Sequence, residues 1–383
     1  MNNELIYLDN NSTTAIDDRV IEAMYPYFKN NYGNASSTHH FGLAAKKIVE
    51  NSREIVSSLI NSDPKEIIFT SGATESINIA LKGIALDPNN SKRHIITLQT
   101  EHKAVLDTCK FLETVGFEIE YLPVNPNGLI DIENLILSIR QDTLLVCIMW
   151  VNNETGVIQP IKEISTITNS KKVLLMTDAT QAVGKLPINI TEFNHIDLLC
   201  FSAHKFYGPK GIGALYINQE TVSPRQIFPI QHGGGHERGL RSGTLNVPAI
   251  VGFAKACEIA SLEMTENTTY IKSLRDILEI ELLNIRGVFI NGSKEHRLYN
   301  TINACFPNFD ANMFIDRYQT IAVSNGSACT SALFEPSHVL LAMGLNDTDA
   351  FSAIRFSLSN KNTEQEILTV ISSIKETLIQ LAN

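Results

Sequence analysis

The chain has 383 residues, 44% hydrophobic and 19% charged, which is ample apolar material for a sizeable packed core and rules out a disordered polymer. Its 41 acidic residues outnumber 31 basic ones, giving a formal charge of −10 and arguing against sequence-independent binding to nucleic acid or an anionic membrane. The first dozen residues lack the basic start and apolar run of a secretory signal, and the longest apolar stretch, 144–151, is far short of the roughly 20 residues that span a bilayer; the expected location is the cytoplasm.

Taken in order, residues 5–8 form a short strand, and Asp9 to Thr14 are too polar for core and read as a loop. Val20, Ile21, Met24, Tyr27 and Phe28 recur at helical spacing. After a break at 32–37, Phe41, Ala44, Ala45, Ile48, Val49, Ile55, Val56 and Leu59 trace a longer helix ending before Asp63-Pro64. From Ile67 the pattern alternates: strands at 67–70, 94–98, 118–122, 144–151, 173–177 and 197–202 are separated by helical segments at 75–84, 104–115, 132–139 and 161–168. Such alternation predicts an α/β fold with a mainly parallel sheet covered on both faces. A loop with Gly208, Gly211 and Gly213 leads to one more apolar run, 214–217. The rhythm then changes to a glycine-rich segment at 231–236, helices at 248–264, 271–283 and 364–381, and short apolar runs at 288–290 and 321–323. A boundary near Pro248 is expected, with a large unit at 15–255 and a smaller α+β unit made of 1–14 and 256–383.

Polar residues gather at the predicted strand ends, where open α/β sheets bind ligands. Lys205 follows the strand 197–202 beside His204 and the glycine loop; alone, it reads as well as a solvated strand terminator. Ser71-Gly72-Ala73-Thr74-Glu75-Ser76 is a strand end, a small-residue turn and a helix start, either a phosphate seat or a helix N-capped by Ser71 or Thr74. Neither GxxxxGK[ST] nor GxGxxG is present, which excludes a triphosphate loop. Asp178 lies at the end of 173–177, where a carboxylate needs a cation such as a protonated ring nitrogen, or caps the next segment. Gln181 faces the same pocket. His102, after 94–98, is placed to stack on a flat ring and shuttle protons, or is an ordinary surface histidine. Asn153 occupies the same place after 144–151. The joint placement of Thr74, His102, Asn153, Asp178 and Lys205 toward one crevice outweighs each alone.

His232 and His236 are four apart, but the glycines between them and the lack of a carboxylate–histidine set make them loop residues, not metal ligands. The six cysteines form no CxxC pair; most sit in apolar patterns as inert core thiols. Cys329 differs, lying in the small, polar run 323–332, as an exposed reactive thiol or an incidental one. Arg355, a cation inside the apolar run 352–357, needs an anion: a substrate carboxylate or a structural salt-bridge partner.

Ser71-Gly72-Ala73-Thr74-Glu75, Thr100-Glu101-His102-Lys103, Asn152-Asn153-Glu154, Asp178-Ala179-Thr180-Gln181, Ser202-Ala203-His204-Lys205, 232–238, Arg241-Ser242-Gly243-Thr244 and Gly326-Ser327-Ala328-Cys329-Thr330-Ser331 together resemble the pyridoxal-phosphate-dependent cysteine desulfurases of the NifS/IscS type, members of the class V aminotransferases. The resemblance runs in order over nearly the whole chain. It implies the aspartate-aminotransferase-like fold (PLP fold type I) and a homodimer with sites near the interface. It further implies conversion of L-cysteine to L-alanine, with sulfur leaving as a persulfide on Cys329 for an acceptor protein of iron–sulfur assembly, tRNA thiolation or DNA sulfur modification. By the same resemblance Lys205 carries the pyridoxal phosphate, Asp178 and Gln181 hold its ring nitrogen and phenolic oxygen, and Asn153 contacts the ring side. Ala73, Thr74, Ser202 and His204 hold the phosphate, Thr244 reaches it from the other subunit, and Asn34 and Arg355 hold the substrate carboxylate. His102 handles protons. No intrinsic metal is implied beyond Cys329 as a transient iron–sulfur ligand, and no direct nucleic-acid or membrane contact. The rival readings are a selenocysteine lyase or another PLP-dependent aminotransferase or β-lyase, and, without catalysis, a sulfur carrier or scaffold. Two departures stand out: Asn325 replaces the usual serine of the housekeeping members, and the sequence stops at Asn383 without the tail that docks a scaffold protein in them.

Overall fold

The computed structural model describes residues 5–193, 195–222, 227–307, 309–325 and 335–381; Cys329 and its neighbours lie outside the described residues. Strand β1 (Ile6–Tyr7) leads to α1 (Asp18–Lys29) and α2 (His40–Leu59). Then come β2 (Ile67–Thr70), α3 (Ala73–Ala85), β3 (His94–Leu98), α4 (Lys103–Thr114), β4 (Glu118–Leu122), α5 (Ile132–Ser138), β5 (Thr143–Cys147), α6 (Ile161–Lys171), β6 (Leu174–Asp178), β7 (Leu198–Ser202) and β8 (Gly213–Ile217). The last part contains α7 (Val247–Leu283), β9 (Phe289–Ile290), β10 (Thr301–Cys305), α8 (Ala311–Arg317), β11 (Ile321–Ala322), α9 (His338–Ala342), α10 (Asp347–Phe351), β12 (Ala353–Ser357) and α11 (Glu364–Leu381).

Seven strands form the main sheet in the order β2-β8-β7-β6-β5-β3-β4. All run parallel except β8, which is antiparallel to both its neighbours. A loop alone joins β7 to β8, which suffices for an antiparallel pair, whereas parallel neighbours require a longer crossover. Alternate side chains enter opposite cores. Ile67 and Phe69 of β2 pack with Val49 and Val56 of α2 and Ile250 and Phe253 of α7; Ile68 faces Ile77 of α3 and Val105 and Leu112 of α4. Burial on both faces explains why these strands read as continuous apolar runs.

The expected α/β architecture is therefore present, with two differences of extent. The apolar run 144–151 stays buried throughout, but strand pairing ends at Cys147, and hydrophobicity alone cannot mark a strand end inside a buried run. The two helices expected at 248–264 and 271–283 are one 37-residue helix, α7. The polar stretch between them contains no glycine or proline, so nothing interrupts the backbone hydrogen bonds. Its first half packs on the main sheet, while Ile271, Leu274, Leu278 and Leu282 join β10, β12, α11, Ile6 and Leu8 in a separate core. We propose that the chain divides as read from the sequence, at 15–255 and at 1–14 with 256–383, with α7 shared by both units. Strand β10 escaped sequence reading because its buried polar residue hides the pattern: Asn303 is satisfied by the Asn291 side chain at 2.7 Å and by donating to the Glu154 carbonyl at 3.3 Å.

Candidate active site

Because β2, β7, β6, β5 and β3 all point one way, their C-terminal ends converge on one edge. Helix α3 begins there with no side-chain cap; its N-cap position is Gly72, at φ 150°, a conformation open to glycine. Neither Ser71 nor Thr74 caps it, contrary to that sequence option. The Ala73 N–H instead meets Ser202 Oγ of β7 at 2.7 Å, and a Cβ added at Gly213 would lie 2.7 Å from Gly72 Cα. The positive helix end, with Ala73 and Thr74, thus lies at the cavity, a setting suited to a phosphate.

Lys205 sits in the turn after β7, and its amine donates to the carbonyls of Asn11 at 2.8 Å and Ser12 at 2.6 Å. It is not a solvated strand terminator. The loop read only as polar, Asp9 to Thr14, positions it; Asn11 and Ser12 were missed as site residues, their one sequence signal being polarity beside a strand. Arg355, on β12, donates through Nη2 to Asp9 Oδ1 and Ser12 Oγ, both at 2.6 Å, and through Nη1 to the Asn153 carbonyl at 3.0 Å. The salt-bridge reading therefore holds, yet Arg355 also lines the cavity, and its buried Nε has no hydrogen-bond partner among the described residues.

Asp178 closes β6, 5% exposed. Its Oδ1 accepts the Thr180 N–H at 3.0 Å, and among the described residues it makes no ion pair. His102 caps α4, its Nδ1 accepting the Ala104 N–H at 3.1 Å, so the neutral imidazole carries its proton on Nε2. Burial pushes His102 below its ordinary value; Asp178 opposes this, and Lys205 and His338 add to it. Burial and then the amines of Lys205, Lys210 and Lys185 push His204 down to about 4. A phosphate dianion bound here would offset these positive charges. NMR titration of phosphate-free protein is expected to show His204 neutral at pH 7, with its midpoint rising when inorganic phosphate or the coenzyme is added. Its folded value lies below the unfolded one, so its contribution to stability is complete above about pH 6.5 and is lost as pH falls toward about 4.

Ala73, Thr74, His102, Asn153, Asp178, Gln181, Ser202, His204, Lys205 and Arg355 all line one cavity of about 450 Å³, within the usual range for a small-molecule site. Asn34 does not reach it: the residue is exposed, its Oδ1 taken by the Ser36 N–H at 2.9 Å. Thr244, expected to serve a second subunit, is exposed and outside this cavity. His236 ties these two segments together, through Ser36 Oγ at 3.0 Å and the Gly243 N–H at 3.3 Å. Described residues on both sides of Cys329 are tied to site elements. Ser324 bridges the backbone of Arg355, and Ser337 Oγ donates to Glu154 Oε2 at 2.5 Å. Glu101, next to His102 in sequence, is fully buried, with Oε1 accepting the Met149 N–H at 2.6 Å. Burial holds its carboxyl well above the usual range, and Asp178 adds to the effect against that hydrogen bond.

The described geometry suits pyridoxal phosphate: an uncapped helix start for its phosphate, a buried carboxylate without an ionic partner for its ring nitrogen, and an amine for its aldehyde. A mainly parallel sheet carrying such a site at its strand ends is that of the fold type I pyridoxal-phosphate enzymes. The chain matches the family model described as Aminotransferase class-V over residues 6–370. It is 49% identical over 378 residues to the cysteine desulfurase IscS of Neisseria gonorrhoeae, covering 98% of this chain and 93% of that one. Among solved structures it resembles a NifS-like protein at a TM-score of 0.90 and 42% identity, over 98% of this chain and 99% of the other. It also resembles DndA from Streptomyces lividans at a TM-score of 0.79 and 40% identity, over 91% and 98% of the two chains. The chain belongs to the class-V aminotransferase family, among its pyridoxal-phosphate-dependent cysteine desulfurases.

Proposed function

We propose that this cavity desulfurates L-cysteine, with Lys205 carrying the coenzyme and Cys329 taking up the sulfur for an acceptor protein. The observation that carries the assignment is the convergence in one cavity of the Lys205 amine, the Asp178 carboxylate, which makes no ion pair among the described residues, and the start of α3, which has no side-chain cap. When bound, pyridoxal phosphate supplies the aldehyde that captures the substrate amine and the ring that absorbs the electron pair released at the substrate α-carbon. Asp178 would hold the ring nitrogen and keep it protonated. Ala73, Thr74, Ser202 and His204 hold the phosphate, Gln181 the phenolic oxygen and Asn153 the ring side.

Arg355 orients the substrate carboxylate. Its Nη atoms are already engaged with the Asn153 carbonyl, Asp9 and Ser12, so receiving the substrate carboxylate would require the guanidinium to exchange one of these partners. The Lys205 amine would also be the base that takes the substrate α-proton. His102 donates a hydrogen bond at Nε2; accepting a proton requires it to release the Ala104 cap at Nδ1. Cys329, as thiolate, attacks the substrate sulfur: an S–S bond forms and the Cβ–S bond breaks. The electron pair of that bond stays with the three-carbon fragment, which gains a proton at Cβ, recovers the α-proton from Lys205 and leaves as alanine.

The acceptor belongs to iron–sulfur cluster assembly, tRNA thiolation or DNA sulfur modification. We also propose a cytoplasmic homodimer in which the exposed Thr244 completes the second subunit's phosphate site and Asn34 is brought to the substrate by that assembly. The five described cysteines are free, buried thiols, as in a reducing compartment, and no helix among the described residues is long and apolar enough to cross a membrane. Purified protein loaded with pyridoxal phosphate is expected to turn L-cysteine into alanine in step with persulfide on Cys329, read by mass spectrometry after alkylation. Formation of pyruvate without persulfide would replace this reading with a β-lyase.

A further inference from the structure

Lys185 is 6% exposed and pairs with no carboxylate among the described residues. Burying an amine without a counter-charge is unfavourable, and a methionine of similar length would fill the space without that penalty. What the amine adds is its N–H donors. They go to two side-chain amides: Gln181 Oε1 at 2.5 Å and Asn11 Oδ1 at 3.4 Å. Burial pushes the amine well below its ordinary value, with the charges of Lys205 and Arg355 adding to the effect, but even a neutral amine keeps two N–H groups for these oxygens.

Both amides belong to the network that places the Lys205 amine. The Asn11 carbonyl accepts Lys205 Nζ and Gln181 Nε2, each at 2.8 Å. Asn11 Nδ2 is spent on Thr301 Oγ1 at 2.9 Å and the Asn153 carbonyl at 3.1 Å. With Oε1 held by Lys185 and one N–H by Asn11, Gln181 retains a single amide N–H for the cavity it lines. A donor on Oε1 polarises the amide and strengthens that N–H. A hydrogen bond to an anionic oxygen favours the charged form and lowers the pH at which a neighbouring proton is released.

We propose that Lys185 is a positioning residue: it clamps Gln181 so that the remaining amide N–H meets the phenolic oxygen of the coenzyme, and so sets the pH at which the bound coenzyme changes protonation state. This rests on the assignment of Gln181 to that oxygen in the proposed function. The other charged groups around the cavity, Glu75 on α3, Asp178 on β6, His102 at the start of α4, His204, Lys205 and Lys210 after β7 and Arg355 on β12, are common to every variant below.

The test is a pH titration of the visible absorbance of coenzyme-loaded protein, paired with thermal unfolding. Lys185→Met and Gln181→Leu are each expected to raise the midpoint by about one pH unit, and the double variant by no more than either alone, because both act on the same N–H. Lys185→Gln, which retains an N–H donor, recovers part of the shift. A Lys185→Met midpoint equal to wild type, with Gln181→Leu shifted, overturns the inference, whatever happens to Tm. An unmoved midpoint in Gln181→Leu overturns instead the assignment of Gln181. Should Lys185→Met not fold, Lys185→Gln decides by the same midpoint; if neither is soluble, Lys185 serves the core and the inference falls.

Discussion

Lys205→Ala, incubated with pyridoxal phosphate, is expected to stay free of any coenzyme adduct that borohydride fixes to the protein, and to lose alanine formation from cysteine by at least about 10³-fold. The amine has two tasks, as covalent holder of the coenzyme and as base at the substrate α-carbon, and alanine can do neither. Its placement makes substitution by distant groups ineffective: Lys205 Nζ is held by the Asn11 and Ser12 carbonyls, while the amine of Lys185 is spent on Gln181 and Asn11. Folding should be little affected, since the lysine is only partly buried and the two carbonyls it releases lie in a loop. Thermal unfolding close to wild type, combined with loss of the adduct, therefore separates chemistry from stability. A borohydride-fixed adduct mapping to any other lysine would remove Lys205 from the centre of the site.

Cys329→Ser carries the second large effect. The coenzyme spectrum should match wild type, because no group assigned to the coenzyme is altered, while alanine release falls by about 10²–10³-fold and no protein persulfide forms. A hydroxyl is a poor nucleophile toward divalent sulfur and stays protonated at neutral pH, whereas a thiol of ordinary pKa near 8.5 already has a thiolate fraction that a favourable setting enlarges. Spectral change on adding cysteine, without turnover, would place the block after substrate binding. Undiminished sulfide release from this variant would instead make the enzyme a lyase that needs no thiol.

Much of this site was legible because its carriers are local. A strand buried on both faces is a continuous apolar run, and the polar residue that ends it is visible as a break; Asp178, His102, Asn153 and Lys205 were found that way, and the strand directions then bring them together. The cysteines of the core were equally legible, since Cys109, Cys147, Cys200 and Cys257 sit in apolar patterns and are all buried.

What the sequence determined by itself was thus the order of strands and helices, the side of the sheet on which chemistry gathers and, through the family that its motifs resemble, the coenzyme. Tertiary structure alone decided what holds those residues in place: Asn11 against Lys205 and Gln181, Asp9 against Arg355, and Ser202 across the unoccupied cap position of α3. It alone joined α7 into one helix shared by two cores, and left Asn34 outside the cavity of its own chain. The reason is range. Periodicity and strand ends are set by neighbours a few residues away, whereas a hydrogen bond from Lys205 to a loop at residue 11 depends on two segments meeting in space, and no local pattern records that meeting.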